Sequence, residues 1–381
     1  MTTLPWLVLA CTATDAPDPP VPSADTGLAN DTADTADTAD SGVPSAPWCD
    51  ESNGDEFATL VGCCGLLDTI AGAGADGSKG VNLWDEDMEG GSALDAELSR
   101  PHMTMADAAG NLYIADKDAH AIRRVDPEGT ITTVAGTGTA GDEGDAPMPG
   151  VDARLSEPNG LYVLSDGTVF IHDMGNDKVR RLSPEGELTT LFATLGSDTG
   201  RGLWVAPDES RVFVACGDNV QTWTPDGGVE TYATGFLSLG NLVVDPSGLL
   251  VVTDRAGHDV TRIHADGRQE VIAGTGAMTG GGHGDLALDT ALAEVRGIWF
   301  HPLGGYFLAT HVGQQIWYVD TEGVIHLFLD GEKDSHSGDG ERFDTPGKKI
   351  SEPRSITLDP RGQILITEND AGYVRRIARA D

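Results

Sequence analysis

The sequence predicts an all-β fold: a six-bladed β-propeller of four-stranded antiparallel blades, its ring closed by an N-terminal strand at 65–72 that completes the C-terminal blade. Three observations predict it. Residues 111–136, NLYIADKDAHAIRRVDPEGTITTVAG, hold three short apolar runs separated by turn signals, the pattern of consecutive antiparallel strands. The pattern recurs in worn form from 168, 211, 249, 305 and 363. The stretch GLLDTIAG at 65–72 matches the last strand of that unit and stands alone, whereas the final repeat stops after its third strand at Ile377. The two fragments complete one another, and closing the ring removes the sheet edges that an open array would leave bare.

Taken in order, the chain divides into 1–11, 12–60 and 61–381. The first segment, MTTLPWLVLAC, is an apolar run ending in a cysteine and resembles a bacterial lipobox, which implies lipidation of Cys11 and an exported cell-envelope lipoprotein. The run is short and no Lys or Arg precedes it, although a secretory signal carries a basic n-region, so the natural start is expected upstream of Met1. A diacylglyceryl group plus an amide-linked chain supplies the two signals that stable anchoring takes. No stretch approaches the roughly 20 apolar residues of a transmembrane helix.

Segment 12–60 reads as a disordered acidic linker rich in Pro, Asp and Thr. Between 15 and 56 it has many carboxylates and no Lys or Arg, and it buries too little apolar surface to offset its ordering entropy. Its DTADTADTAD run at 31–40 spaces carboxylates every third residue, not every second as an EF-hand does. The formal charge of −37 excludes a nucleic-acid partner as the leading reading, because phosphate binding rests on clustered Lys and Arg.

With Cys11 lipidated, Cys49, Cys63, Cys64 and Cys216 remain, an even number that suits two bridges in an oxidising compartment. Pairing Cys49 with Cys63 or Cys64 would staple the linker to the domain; the alternative is reduced, buried thiols. Adjacent Cys63 and Cys64 lack the C-x-x-C spacing of a zinc site.

Within the domain, the residues ending the second strands are Asp116, Asp173, Cys216, Asp254, His311 and Glu368, spaced 57, 43, 38, 57 and 57. These spacings are near propeller repeats once loops are allowed. The long ones carry insertions after the fourth strand, at 137–156, 275–292 and 331–351, with 73–99 playing the same part after the closing strand. Connections from second to third strand and from fourth to the next first strand share one face, the top. Tall loops at four consecutive junctions predict a top pocket walled on one side.

The pattern P-x-x-h-h-h-D, G-x-L-Y-I-A-D, I-R-R-V, D-P-x-G, I-T-T-V-A-G-T-G, ending D-A-R-L, where h is apolar, resembles an NHL repeat. The resemblance runs from about 64 to the C-terminus, strongest at 100–155 and 249–292. It implies the fold. It does not imply an activity, since propellers host binding modules, lyases, lactonases and structural receptors alike.

Several motifs have structural readings. Gly136, Gly138 and Gly141 formally fit G-x-G-x-x-G, but no helical period follows to aim an N-terminus at a pyrophosphate, so they serve chain direction. Asp85, Asp87 and Glu89 begin like a calcium loop, yet position twelve is Ala96 and the register fails. The acidic loops at 142–145 and 334–344 are where calcium is weighed; no other cofactor is expected. Asp116, Asp173, Asp254 and Glu368 are expected to close top turns by accepting backbone hydrogen bonds. The pairs Arg123-Arg124, Arg180-Arg181 and Arg375-Arg376 alternate faces of a strand and read as structural partners or solvated charge. Trp204 and Trp299 read as blade packing. No nucleophile–base arrangement or metal-spaced histidine set is visible.

One column is more informative. Aligning the repeats on Asp107, Asp245, His301 and Asp359 sets His102, Asn159, Arg201, Gly240, Arg296 and Arg354 at equivalent places around the central opening. Guanidinium groups suit carboxylate, phosphate or sulfate, and like charges brought together imply an anion or compensating acids. Glu157 and Glu352, each before a proline, are the internal alternatives that would plug the channel. The column differs from the carboxylate-lined cation site of gluconolactonase-type propellers and lacks the histidine cluster of an amidating lyase. The expectation is a binding module whose ligand-binding residues are His102, Asn159, Arg201, Arg296 and Arg354, with an anionic ligand or protein partner and a lipid-anchored membrane contact. The rivals are a metal-dependent lactonase- or lyase-like enzyme and a structural envelope protein with a plugged channel.

Overall fold

Each hairpin starts from turn chemistry. In Asp126-Pro127-Glu128-Gly129 the Asp126 carboxylate accepts the Thr130 N–H at 2.8 Å, and its carbonyl accepts that of Gly129. Gly129 takes a φ of 86°, which glycine adopts at little cost. The flanking strands Ala121–Val125 and Ile131–Ala135 are thereby held in register, Val125 facing Ile131. Asp320 repeats the device, accepting from Val324 N–H at 2.9 Å.

The computed structural model describes residues 65–74, 79–196 and 200–378, which lie within the compact unit Pro44–Asp381. Cys11, the linker 12–60, Cys49, Cys63 and Cys64 fall outside the described residues. Those described form six antiparallel blades of four strands. The first strands, nearest the axis, are Pro101–Ala106, Pro158–Val163, Leu203–Val205, Leu239–Val244, Val295–Phe300 and Pro353–Leu358. In the sixth blade the outer place is filled by Leu66–Ala71, antiparallel to Tyr373–Ala378 with Leu67 facing Ile377. In every blade the register shifts once between third and outer strand, for example between Ile122 and Arg123, a bulge that sharpens the twist at the top.

The apolar core lies between blades. Ile122 and Ala135 of the first blade pack with Leu161, Val169 and Ile171 of the second, and Leu67 of the closing strand is fully buried with Phe307, Ile316 and Ile377. The closing seam is also polar. Thr357 Oγ1 donates to the Thr104 carbonyl at 2.8 Å, and Thr367 Oγ1 to Thr104 Oγ1 at 2.9 Å.

The insertions correct one expectation. Instead of standing as a wall above the channel, each sends its middle to the outer edge of the next blade. Met148–Pro149 pairs with Glu187 and Leu188, and Glu341–Arg342 with Leu66 and Leu67. Ser92 bridges Thr130, and Leu286 bridges Val324. The reason is the edge itself, whose unpaired N–H and C=O groups are satisfied by a strap of chain.

Third-strand arginines hold three of these straps. Arg123 Nε bonds Asp116 at 3.0 Å while its guanidinium stacks 3.6 Å from the Trp84 ring. Arg180 bonds Asp173 at 2.9 Å and reaches Asp142 at 2.5 Å. Arg375 bonds Glu368 at 3.1 Å and Asp339 at 2.8 Å. The acids of the loops weighed for calcium therefore engage cations of the chain: Asp142 and Asp145 also hold Lys178, at 2.7 and 2.9 Å.

Candidate functional site

In four blades the chain turns into the first strand through a residue in the left-handed region: Arg100, Glu157, Glu294 and Glu352, with φ of 55°, 48°, 50° and 44°. The turn is held from behind. Backbone N–H groups of Glu157 and Glu294 donate to Nδ1 of His120 and His258 at 3.0 and 3.1 Å, and that of Glu352 to the Gln314 side chain at 2.5 Å. In front of it, Asp116 accepts the Ser99 N–H at 2.6 Å, Asp173 that of Ser156 at 2.7 Å, Asp254 that of Ser238 at 2.9 Å and Glu368 that of Ser351 at 2.8 Å. These acids close the top turns, as their positions predict.

Two residues beyond each turn comes the column. His102, Asn159, Arg201, Gly240, Arg296 and Arg354 all line one central cavity of about 20 Å³, joined by Met103 and Asn241. The first strands approach closely where glycine follows a column residue, at Gly160, Gly202 and Gly297. A Cβ on Gly160 would lie 2.5 Å from the Arg201 carbonyl oxygen, and one on Gly202 would lie 2.6 Å from the Leu242 nitrogen.

Two of the guanidinium groups meet acids of the entry turns. Arg296 Nη2 meets Glu294 at 2.6 Å, and Arg354 Nη2 meets Asn369 at 2.8 Å and Glu352 at 3.6 Å. His311 bridges the two acids, Nδ1 to Glu294 at 3.2 Å and Nε2 to Glu352 at 2.8 Å. Glu157 departs from its expected partner and pairs with Lys117 at 3.0 Å. Glu294 escaped sequence reasoning because Val295 rather than proline follows it, although it sits two residues before Arg296 as Glu157 and Glu352 sit before Asn159 and Arg354. His120 and His258 share one place in the repeat, which was the signal available for them.

Burial, then the charges of Lys117, Arg201, Arg296 and Arg100, push the His102 ring well below its ordinary value. The neutral ring donates Nδ1–H to Asn159 Oδ1 at 2.6 Å. Burial raises Glu294, but the bond to His311 and the charge of Arg296 outweigh it and hold that carboxyl well below the usual range. Glu352 behaves alike: burial lifts it, and bonds to His311 and Asp370 bring it down to about 2. Burial and then Glu352 push Asp370 up to about 7. The arrangement suits recognition of negative charge by fixed donors.

At the bottom end, three residues further along, Tyr162, Trp204, Val243 and Trp299 line a depression of 230 Å³. Both tryptophans pack into inter-blade clusters, Trp204 beside Phe213 and Trp299 against neighbours of Met105. A groove of 630 Å³ between first and sixth blades holds none of the column residues. Among the described residues no group of three His, Cys, Asp or Glu is placed to hold a metal ion, and no helix is long and apolar enough to cross a membrane.

A profile of the teneurin NHL domain matches residues 93–183. NHL repeat-containing protein 2 of Bos taurus is 30% identical over 121 residues, 31% of this chain and 16% of that protein. The chain is an NHL-repeat β-propeller. It spans no more than 16% of the length of the curated relatives it matches first. Among solved structures, an auxiliary nutrient binding protein from Bacteroides thetaiotaomicron superimposes with a TM-score of 0.61 at 15% identity, covering 82% of this chain and 76% of that one. A gluconolactonase from Xanthomonas campestris does so at 0.56 and 14%, covering 85% and 92%. At such identities the likeness concerns the fold.

Proposed function

We propose that this NHL propeller is an exported, lipid-anchored binding module whose top face takes a ligand or protein partner through an anionic group. The observation that carries the reading is the convergence of Arg201, Arg296 and Arg354 on one neck with His102 and Asn159. Donors held rigidly by buried partners recognise negative charge without reorganising. Similarity to a nutrient-binding propeller supports a binding role. The lipobox-like Cys11 and the acidic spacer support an anchor that holds the domain off a membrane.

The test is calorimetric titration of the purified chain with a panel of carboxylated, sulfated and phosphorylated sugars and peptides. The expected result is binding that Arg296→Gln or Arg354→Gln weakens tenfold or more, about 1.4 kcal/mol. Binding indifferent to both substitutions sinks the reading, and turnover of lactones in the same panel would replace it with the lactonase alternative. For the anchor, palmitate incorporation in a bacterial host is expected in the natural chain and lost in Cys11→Ala; equal labelling of both rejects it.

A further inference from the structure

The groove between the first and sixth blades, of 630 Å³, has the size of a small-molecule site and lies at the bottom, away from the column. Arg376 lines it without a partner. Among the described residues no hydrogen bond or ion pair engages its guanidinium, and its Nε is buried with no acceptor. Its cross-strand neighbour Asp68 accepts the Gly340 N–H at 3.2 Å instead. The guanidinium of Arg361 joins it in the groove, likewise unengaged among the described residues.

The repeat shows what is missing. Arg181 holds the same place in the second blade, and Glu209 of the third blade closes off its guanidinium at 2.8 and 2.9 Å. Glu209 has a φ of 57° in its turn, with its N–H bonded to the Ala206 carbonyl three residues back. At the same point of the first blade's turn stands Gly110, with a φ of 91° and its N–H bonded to the Asp107 carbonyl. Glycine suits that conformation but brings no carboxylate. The second blade has Gly167 there, yet its boundary with the first blade is filled by Tyr113, whose hydroxyl bonds Asp107 at 3.3 Å and would lie 3.5 Å from a Cβ on Gly167. In the sixth blade Leu365 takes the place of Tyr113 and leaves the space open.

Charge and surface define the occupant. A buried donor without an acceptor keeps its full desolvation penalty, which a ligand oxygen would relieve, and a carboxylate matches the planar fork of a guanidinium. Beside the arginines the groove is apolar, with Ile70, Leu94, Leu112 and Leu365, and Leu94 is 53% exposed. The carboxylates of Asp126, Glu128 and Asp359 also line it, three against two guanidinium groups. That balance disfavours a phosphate monoester, with its charge of about −1.5 to −2, and admits a single carboxylate. We propose that this groove is a second ligand site, which takes a small amphipathic monocarboxylic acid. Its carboxylate sits on Arg376 and Arg361, where Glu209 sits on Arg181, and its apolar body rests on Leu94, Leu112 and Leu365.

Calorimetry of the full chain with N-acetyl-leucine, N-acetyl-phenylalanine and octanoate, each beside its amide, tests it. At least one acid is expected to bind, about tenfold or more weakly as its amide and in Arg376→Gln, and more weakly in Arg361→Gln. Arg376→Gln removes no bond of the fold, so it should melt with the natural chain. Arg181→Gln, at a closed boundary, should bind as the natural chain does. A crystal soaked in 4-bromobenzoate is expected to show the anomalous signal of bromine in the groove, with the carboxylate on Arg376. Acids that bind no better than their amides, binding unchanged in Arg376→Gln, or bromine found only elsewhere overturns the proposal. Binding that Arg296→Gln or Arg354→Gln weakens and Arg376→Gln leaves intact belongs to the top face, so either site can fail without the other.

Discussion

Asp370 and Glu352 meet through their carboxyl groups at the top rim, and two carboxyls can bond only by sharing a proton. Burial and the neighbouring charge keep that proton on Asp370, raised from 3.8 to about 7, while Glu352 remains a carboxylate beside His311. Between pH 3.8 and 7 the folded chain therefore binds a proton that the unfolded chain releases, and stability falls as pH rises through this window. Glu352 works in the opposite sense: its contribution is complete above 4.5 and fades as pH drops toward 2. Asn at position 370 donates permanently to Glu352, so Asp370→Asn should flatten the loss of melting temperature between pH 5 and 8. Because the site is partly solvated, the effect is expected to stay below about 2 kcal/mol. Parallel melting curves against pH for the two proteins would show that this pair does not titrate as described.

The straps give the blades a division of labour at the level of elements. Edges of the first, second, fifth and sixth blades receive chain from the preceding insertion, whereas Gly228–Thr234 and Gln269–Ala273 of the third and fourth carry no strap among the described residues. Arginines 123, 180 and 375 occur where there is a strap to hold, each bound to the acid that closes its own top turn. Removing Asp116 would take from the buried Arg123 guanidinium the carboxylate it is bonded to, whereas Arg180 and Arg375 would keep the strap acids Asp142 and Asp339. The blades, the closing strand and the column were legible in the sequence for one reason: a repeat transfers position, so aligning Asp107, Asp245, His301 and Asp359 brings His102 and Arg354 together without any knowledge of distance. The straps were not. Met148–Pro149 and Glu341–Arg342 are two residues long, too short for alternation, and they pair with a blade whose edge is distant in sequence. The same locality explains Asn241, which follows the one column position occupied by glycine and contributes its side chain from the next residue.

For the whole molecule, stability depends on a single strand drawn from the far end of the chain. Leu66–Ala71 supplies the outer strand of the sixth blade, buries Leu67 among residues of the fifth, and gives Glu341–Arg342 its partner. Gly72 follows at a φ of 100°, where a Cβ would lie 2.0 Å from the Gly372 carbonyl oxygen, so the exit from that strand is fitted closely to the turn before its neighbour. Losing the burial of one leucine alone costs about 2–5 kcal/mol, and the loss of the strand also bares a sheet edge and frees the 331–351 strap. Removal of residues 1–73 is therefore expected to lower the melting temperature by about 10 °C or more, or to abolish cooperative unfolding. Removal of residues 1–60 leaves the strand in place and should melt with the full chain. Circular dichroism melts of the two truncations decide it: a domain starting at Gly74 that unfolds at the same temperature as one starting at Val61 would mean that the ring holds without its closing strand.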